Sequence, residues 1–582
     1  MASTVQGYEG TGRSLSLKLI QNIKESKSRN LHQIELEQAI RYADNDPIEN
    51  WLNKLLCLDS VKDSLTLTEY PSIEDCELYL VDKDTLFSYK NTANEMLNSI
   101  MGLFITSHYK NTPNDLQLIS DSATHSIYIL TKSYKKHNYS GLPEILCVIQ
   151  VAEEGGIDSD TIKNAKNSNN LPAGDLIPWT LSNYYLDNQF PKLSGARIVR
   201  IATNPHAQRM GYGKRALDLL YDYYSGNLYD INKLKENNEE ENINENNKKK
   251  LLYELTELKP SFVYYLGTSF GITLNLFRFW KSSGYIPLYI KTLANSITGE
   301  YSCIMIKSIN LSSEEIKINE NSSSITSLNW IDAYSYDFSR RMISLLSYEF
   351  KNLRIDLAYE LLGPLLTVNN TTNDDNNLTL FNKYNLDDSK AHFKVYFTKE
   401  DFKRLQKYTQ GLANVNLIHD LIPSVAKFFI LKKVDKSLSL DQAMILIGIG
   451  LQKKDFIKIE YELDTIKKEK IKKNTSFNKS NTNNNSFGID QNSVMGMFKK
   501  TIIKFTDSFR KIIEDKLMDE EKLNQDNKTL MNLKLNVDEQ DKENIRKEIF
   551  EKDEDILNKE KEVRTNYYKD KFGGKKRKKS ID

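Results

Sequence analysis

The amino-acid sequence predicts an α/β protein up to about residue 310 and a mainly helical region after it. In the first part, short apolar runs rich in Val, Ile and Tyr alternate with amphipathic helical patterns. That alternation is typical of a sheet covered by helices. In residues 325–515, apolar residues recur mostly at helical spacing.

Length and charge limit the function classes. A chain of 582 residues exceeds a single core and suggests about two to four domains. Lys and Arg (80) balance Asp and Glu (79), so any RNA contact must come from local patches. The four cysteines are far apart and no Cys/His cluster has zinc spacing, which predicts no metal and a reducing compartment. Without a signal peptide or a long apolar run, we expect a soluble intracellular protein with no membrane partner.

The most informative stretch, residues 197–217, is predicted as a strand, a short loop and the start of a helix. The strand is apolar and β-branched, and Asn204-Pro205 ends it. The loop contains Gly211 and Gly213, and a helix with an apolar stripe follows to about Tyr224. Free backbone N–H groups and the helix dipole bind anions at such a turn, so the stretch predicts a phosphate site.

The spacing of the glycines in this loop can be compared with that of known pyrophosphate-binding patterns. The Walker pattern G-x-x-x-x-G-K-[ST] is absent. Gly211-x-Gly213-x-x-Ala216 fits the looser dinucleotide pattern, but no acidic residue stands about 20 residues on in a second strand. Gln208-x-x-Gly211-x-Gly213 resembles the acetyl-CoA signature of the GNAT acetyltransferase superfamily. From local pattern alone, a purely structural strand–turn–helix stays open as the alternative.

Five motifs in order make the resemblance more specific. Together they resemble the eukaryotic RNA cytidine acetyltransferases and, more distantly, the bacterial tRNA-Met cytidine acetyltransferase, from Met1 to about residue 515. The resemblance implies a GNAT fold, a mixed and mostly antiparallel sheet with flanking helices. It also implies a preceding RecA-like helicase remnant and a following helical RNA-binding region. The motifs are residues 174–180, 197–217, 264–271, 279–285 and 299–305.

The predicted acetyltransferase domain covers residues 61–310. Its polar range 226–258 has few apolar residues and is predicted as a solvated insertion. The predicted strands are 76–81, 127–130, 144–151, 198–203, 261–266, 285–291 and 302–308, and the predicted helices are 95–105, 213–224 and 272–283.

Residues 1–60 resemble the end of a helicase lobe. The resemblance places Arg41 against bound ATP, and Arg13 follows a glycine turn that could present it to a phosphate. A surface salt bridge is the alternative for either arginine. The chain has no Walker A lysine, so the resemblance implies the C-terminal portion of a longer protein. ATP with Mg is expected only when the helicase portion is present.

The second half is predicted as a helical tRNA/RNA-binding domain, residues 325–515, with Asn-rich insertions, and a charged, disordered tail, residues 516–582. Basic cluster 575–579 is predicted as a nuclear import signal or an RNA-contacting tail, with a solubilising tail as the alternative. Candidate phosphate contacts, with an ordinary solvated helix face as the alternative, are Arg340, Arg341, Lys499 and Lys500.

Acetylation of cytidine N4 needs a thioester held in line, an oxyanion donor and a base. His108 is the candidate catalytic base, because residues 107–115 resemble the family stretch that holds the proposed catalytic histidine. His206 lies nearer the glycine loop in sequence and is predicted to shape that loop. Cys147 lies in an apolar strand and is predicted to belong to the core.

The resemblance assigns acetyl-CoA to three segments. The strand offers backbone groups to pantetheine, the loop holds the pyrophosphate, and position 282 lies near the CoA phosphates. Many family members have a basic residue at 282, where this chain has Ser beside Lys281. The assigned residues are Ile201, Ala202, Thr203, Gln208, Arg209, Met210, Gly211, Tyr212, Gly213, Lys214 and Ser282.

The predicted function is therefore an RNA cytidine N4-acetyltransferase that uses acetyl-CoA on 18S rRNA and tRNA and supports small-subunit biogenesis. The resemblance implies a nuclear and nucleolar location, with adaptor proteins, a guide snoRNA and a homodimer left open as partners. Two alternatives stay open. The basic helical region argues against a protein lysine acetyltransferase, and the intact glycines and His108 argue against a catalytically impaired ribosome-assembly scaffold.

Overall fold

The predicted division into an α/β part and a helical part is confirmed by the computed structural model. The chain forms two compact units, residues 1–338 and 339–582. Within the described ranges, none of the helices combines the length and the hydropathy that spanning a lipid bilayer requires. The described residues are 40–57, 60, 67–107, 113–134, 141–168, 172, 174–228, 250–295, 299–309, 330–363, 396–431, 437–475 and 491–521.

The first unit is built on one eight-stranded sheet. Its strands are β1 (Cys76–Val81), β2 (His125–Lys132), β3 (Cys147–Glu154), β4 (Gly195–Thr203), β5 (Leu252–Glu254), β6 (Tyr265–Gly271), β7 (Ile286–Ile290) and β8 (Ser302–Ser308). Its helices are α1 (Pro47–Leu55), α2 (Lys83–Leu86), α3 (Asn91–Ser107), α4 (Pro113–Asp121), α5 (Ser159–Ser168), α6 (Leu176–Tyr185), α7 (Tyr212–Tyr224), α8 (Leu274–Ser282) and the start of α9 (Trp330–Leu345).

The strands follow the order β5-β1-β2-β3-β4-β6-β8-β7. Every neighbouring pair is antiparallel except β4 and β6, which are parallel. A parallel pair needs a crossover, and the crossover from β4 to β6 contains α7. On one face, Ala202 of β4 belongs to the same buried cluster as Met96 and Phe104 of α3. Because β-strand side chains alternate, Thr203 lies on the opposite face, where it approaches Gly213 of α7.

Several predicted ranges differ from the observed elements by a few residues at one or both ends, and three of the differences are informative. The strand predicted at 144–151 begins at Cys147, and the one predicted at 261–266 begins only at Tyr265. Residues Leu252–Glu254, inside the range predicted as an insertion, form β5 and pair with Tyr79–Val81 of β1. A run of three residues is too short to show an alternating pattern. These residues form a strand because they pair with β1.

The second unit is helical. Its centre is α13, in which every residue from Gln442 to Gly450 is buried. A helix that is apolar all round must be enclosed by others, and α10, α12, α14 and α15 surround it. A capping box between Ser439 and Gln442 fixes its start. The helices are α10 (Ile355–Leu361), α11 (Lys399–Thr409), α12 (Ile422–Ile430), α13 (Leu440–Gly450), α14 (Phe456–Thr475) and α15 (Gln491–Glu521).

Candidate functional site

The two loop glycines lie in close surroundings, and Gly211 also adopts a backbone conformation that favours glycine. Gly211 is the N-cap of α7 and has φ 97° and ψ −10°, a left-handed conformation that favours glycine. A Cβ atom on Gly211 would also lie 2.7 Å from Cδ1 of Ile73. A Cβ atom on Gly213 would lie 3.1 Å from Oγ1 of Thr203 and 3.4 Å from the ring of Phe279. The loop therefore packs closely between β4 and α8.

The first turn of α7 presents its backbone amides without a cap. The N–H groups of residues 211–214 have no partner within the helix, and no side chain caps them. The Tyr212 hydroxyl donates to the carbonyl oxygen of Pro71 at 2.7 Å and so anchors this end of the helix. Lys214 is exposed beside these amides. Four donors, a helix dipole and one cation fit the two phosphates of a pyrophosphate.

Strand β4 separates from β6 beside this turn. Their parallel pairing ends at Ile198 opposite Thr268, whereas β4 continues to Thr203. A register shift in the β3–β4 ladder, between Gln150 and Val151, lies at the same level. Beyond this level β4 is paired with β3 only. The outer edge of its last five residues can therefore pair with an extended ligand.

Beyond Ile198 a gap opens between β4 and β6. The hydrogen-bond pattern between β3 and β4 determines which backbone groups of β4 face this gap. The N–H of Asn204 donates to the carbonyl oxygen of Leu146 at 2.9 Å. By the alternation of an antiparallel ladder, Ala202 then bonds β3, and Ile201 and Thr203 direct their N–H and C=O groups into the gap. Of the three residues assigned to pantetheine, Ile201 and Thr203 can thus supply backbone groups. Ala202 cannot, because β3 uses its groups and its side chain is buried.

The rest of the loop is exposed. Gln208, Arg209 and Met210 all lie at the surface between β4 and α7. Arg209 has φ 65°, an uncommon left-handed conformation for a residue with a side chain. His206 is also exposed, and its backbone N–H donates to Oδ1 of Asn204 at 3.0 Å. His206 therefore contributes to the shape of the loop through its backbone N–H.

Lys281 cannot take the place of the basic residue that many family members have at position 282, because the two positions lie on different sides of α8. Phe279 marks the face of α8 that meets Gly213. At about 100° per residue, Ser282 lies about 60° from Phe279, whereas Lys281 lies about 160° from it. The Ser282 hydroxyl is exposed and donates to the carbonyl oxygen of Phe279 at 2.8 Å. Position 282 therefore faces the loop side of α8, but it brings no charge there.

A buried polar cluster lies on the α3 face of the sheet and was not predicted. Arg200 of β4 pairs with Asp115 in the first turn of α4, with 3.0 Å between Nη2 and Oδ1. The guanidinium lies over the ring of Phe104, 5.7 Å from its centroid. Opposite Arg200, Gln150 contacts Nδ1 of buried His125 at 2.8 Å. These partners are far apart in sequence, so no local pattern could join them.

Protonation of His125 is expected to destabilise the first unit. Burial, followed by the charges of Arg197, Lys83 and Arg200, lowers the pKa of His125 below its ordinary 6.5. The unfolded chain then binds a proton that the folded chain does not, so stability falls as pH drops below about 6.5. His125→Gln should reduce this slope, measured as the urea midpoint between pH 7.5 and 5.5. The matched control is exposed His419→Gln, and equal slopes for all three proteins would contradict the assignment.

The cysteines are core residues. All four are buried and free. The Cys147 thiol accepts a weak hydrogen bond from Oγ1 of Thr203 at 3.7 Å, and burial raises its pKa to about 12. Its burial confirms the prediction that Cys147 belongs to the core, and the raised pKa favours the protonated thiol. In the described part of the chain, no group of three or more His, Cys, Asp or Glu could hold a metal.

The remaining candidates are divided between described and undescribed segments. His108, Arg13 and cluster 575–579 lie outside the described residues. Arg41 is exposed just before α1. Of the candidate RNA contacts, Arg340 and Lys500 are exposed, Arg341 is partly buried and Nζ of Lys499 lies 3.3 Å from the Cβ position of Gly411.

Three family models match consecutive parts of the chain. "RNA cytidine acetyltransferase NAT10/TcmA, helicase domain" matches residues 1–59, "GNAT acetyltransferase 2" matches 99–310, and "Possible tRNA binding domain" matches 330–472. The observed sheet with its flanking helices agrees with the second of these matches. The first unit therefore contains a GNAT acetyltransferase domain.

Curated relatives share one name. The RNA cytidine acetyltransferase of Dictyostelium discoideum is 40% identical over 498 residues, which cover 78% of this chain and 46% of that protein. That of Saccharomyces cerevisiae is 35% identical over 569 residues, covering 89% and 50%. The chain thus spans about half the length of these relatives. Among solved structures, the ribosomal-protein-S18-alanine N-acetyltransferase from Escherichia coli matches 36% of this chain and 83% of its own, at 12% identity and a TM-score of 0.19.

The matches to these relatives extend over most of the chain, and the family models cover its helicase-like, acetyltransferase and RNA-binding parts in turn. We conclude that this protein belongs to the family of RNA cytidine acetyltransferases.

Proposed function

We propose that this chain is the acetyltransferase and RNA-binding portion of an enzyme that transfers the acetyl group of acetyl-CoA to N4 of cytidine in 18S rRNA and tRNA. The observation that carries the proposal is the gap between β4 and β6 beside the uncapped amides of residues 211–214. An open strand edge next to an anion site suits a ligand with an extended arm and a pyrophosphate. Both features belong to the GNAT domain.

The chain's own groups have three tasks. Acetyl-CoA, when bound, supplies an activated thioester. The amides of Gly211–Lys214 hold the diphosphate, and Ile201 and Thr203 orient the arm along β4. We assign to His108 the removal of the N4 proton, because a neutral imidazole is matched to that transfer near pH 7. The cytidine must be unpaired or flipped, since a base pair occupies N4.

The direct test is acetylation of RNA. Incubating the chain with labelled acetyl-CoA and either 18S rRNA or tRNA, followed by digestion to nucleosides, should yield N4-acetylcytidine. The assay is run with and without the helicase portion of a relative and ATP with Mg, because ATP use is assigned to that portion and to Arg41. A His108→Gln variant should bind acetyl-CoA but give no product. Acetyl-CoA binding without acetylcytidine in any condition would instead favour a ribosome-assembly scaffold.

We further propose that the protein works in the nucleolus, where ribosomal RNA is processed, and that basic cluster 575–579 directs nuclear import. A fluorescent fusion should accumulate in nucleoli. Deleting residues 575–579 should leave it in the cytoplasm, and unchanged nucleolar fluorescence would reject the role of this cluster.

A further inference from the structure

Two tyrosines of the helical unit expose most of their side chains. Tyr348, in the turn after α9, is 72% exposed, and Tyr461, on α14, is 66% exposed. Tyrosine usually buries its ring and leaves only the hydroxyl in water. Two rings uncovered on neighbouring segments therefore mark a candidate contact surface.

The two segments are joined by hydrogen bonds. The turn that carries Tyr348 is hydrogen-bonded to the end of α13 and the start of α14, so neither ring sits on an independent loop. The most exposed of these bonds joins Nζ of Lys458, one turn before Tyr461, to Oδ1 of Asn352 at 3.3 Å. The others are Ser347 Oγ to Leu451 O at 2.7 Å, Gln452 Nε2 to Phe350 O at 3.1 Å and to Leu353 O at 2.8 Å, and Lys454 Nζ to Leu353 O at 2.5 Å.

Exposed lysines outnumber exposed carboxylates near the rings, and the partly buried Asp464 also lies on the face of α14 that carries Tyr461. Lys458, Tyr461 and Lys468 share one face of α14, because residues three and seven apart lie on the same side of a helix. Within residues 348–353 and 453–468, five lysines are exposed against two exposed carboxylates. The exposed lysines are Lys351, Lys453, Lys458, Lys467 and Lys468, and the carboxylates are Glu349 and Asp455.

Exposed aromatic rings among lysines suit a single nucleic acid strand. Unpaired bases stack on aromatic rings, and ammonium groups contact the phosphates between them. A duplex hides its base faces and could use only the lysines. We propose that the tyrosine–lysine surface, defined as Tyr348, Lys351, Lys458, Tyr461 and Lys468, binds unpaired nucleotides of the RNA substrate by stacking. This inference rests on the proposed function for its partner.

The test uses the full chain and fluorescence anisotropy with a labelled single-stranded oligoribonucleotide and a matched RNA duplex. Tyr348→Ala and Tyr461→Ala are each expected to weaken single-strand binding about 5- to 150-fold, the effect of about 1–3 kcal/mol per stacked base. Tyr461→Phe keeps the ring and should bind as the parent does. Lys468→Ala removes one phosphate contact, so the slope of log affinity against log salt concentration should become shallower by about one.

Controls separate this inference from the proposed function. Lys403→Ala removes an exposed lysine of α11 in the same unit and should leave binding unchanged. Thermal unfolding of every variant shows whether the fold is kept. Parental affinity in the Tyr348→Ala/Tyr461→Ala double variant would overturn the tyrosine–lysine surface alone, and equal loss in Tyr461→Phe would overturn stacking. If the parent chain binds no RNA, the surface and the proposed function both fail.

Discussion

Replacing Gly213 with Glu is expected to abolish acetyl-CoA binding, lowering affinity more than about 100-fold. The new side chain would start 3.1 Å from Oγ1 of Thr203 and 3.4 Å from the Phe279 ring, so it cannot turn inward. Because position 213 belongs to the first turn of α7, we expect the new carboxylate to lie beside the free amides, where it competes with the diphosphate and repels it. Isothermal titration with acetyl-CoA measures the loss directly.

A size series and a charge control complete this experiment. Gly213→Ala adds only the Cβ atom, whose contacts require its neighbours to give by a few tenths of an ångström, so we expect an intermediate loss. Gly496→Glu adds the same charge on α15 of the other unit, where nothing lies within 4 Å. It should bind acetyl-CoA normally. Unchanged affinity in a folded Gly213→Glu protein would show that the loop is not the phosphate site.

Replacing Lys454 with Met is expected to destabilise the helical unit by about 3–5 kcal/mol, the usual effect of breaking a buried ion pair. Only 1% of the Lys454 side chain is exposed, and its Nζ lies 2.8 Å from Oε1 of Glu462. Burial lowers the pKa of Lys454, and Glu462 opposes that shift. Removing the ammonium leaves the Glu462 carboxylate in the interior without its counter-charge. Hydrogen exchange of α13 amides reports the free energy of opening.

A second substitution should restore most of this loss. Glu462 also accepts a hydrogen bond from the N–H of Ile355 at 2.8 Å, at the start of α10. Gln at 462 keeps that acceptor but carries no charge, so Lys454→Met/Glu462→Gln should be more stable than Lys454→Met. Lys403→Met breaks only an exposed pair with Glu400 and should cost less than about 1 kcal/mol. Equal protection in the parent and the Lys454→Met protein would show that this pair does not hold the unit together.

Much of the fold was predictable where a signal is local and long. The apolar β-branched run of β4 and the stripe of α7 specify their own conformations, and the observed bounds, Gly195–Thr203 and Tyr212–Tyr224, lie close to those predicted. Weak or short patterns were missed. The three residues of β5 form a strand because they pair with β1, and nothing in their own sequence specifies that conformation. The shift of the β6 strand to Tyr265–Gly271 has the same origin, because its register comes from β4 and β8.

Local sequence specifies the glycine loop, the strand before it, the helix after it and the motifs by which the family is recognised. These depend on side-chain type and spacing along one segment, which act through local backbone preferences. Three features of the site come from contacts between distant segments: β4 leaves β6 at Ile198, Ile201 and Thr203 face the gap between these strands, and Arg200 pairs with Asp115. Such pairings join residues distant in sequence, and their energies depend on burial and geometry that exist only after the chain has folded.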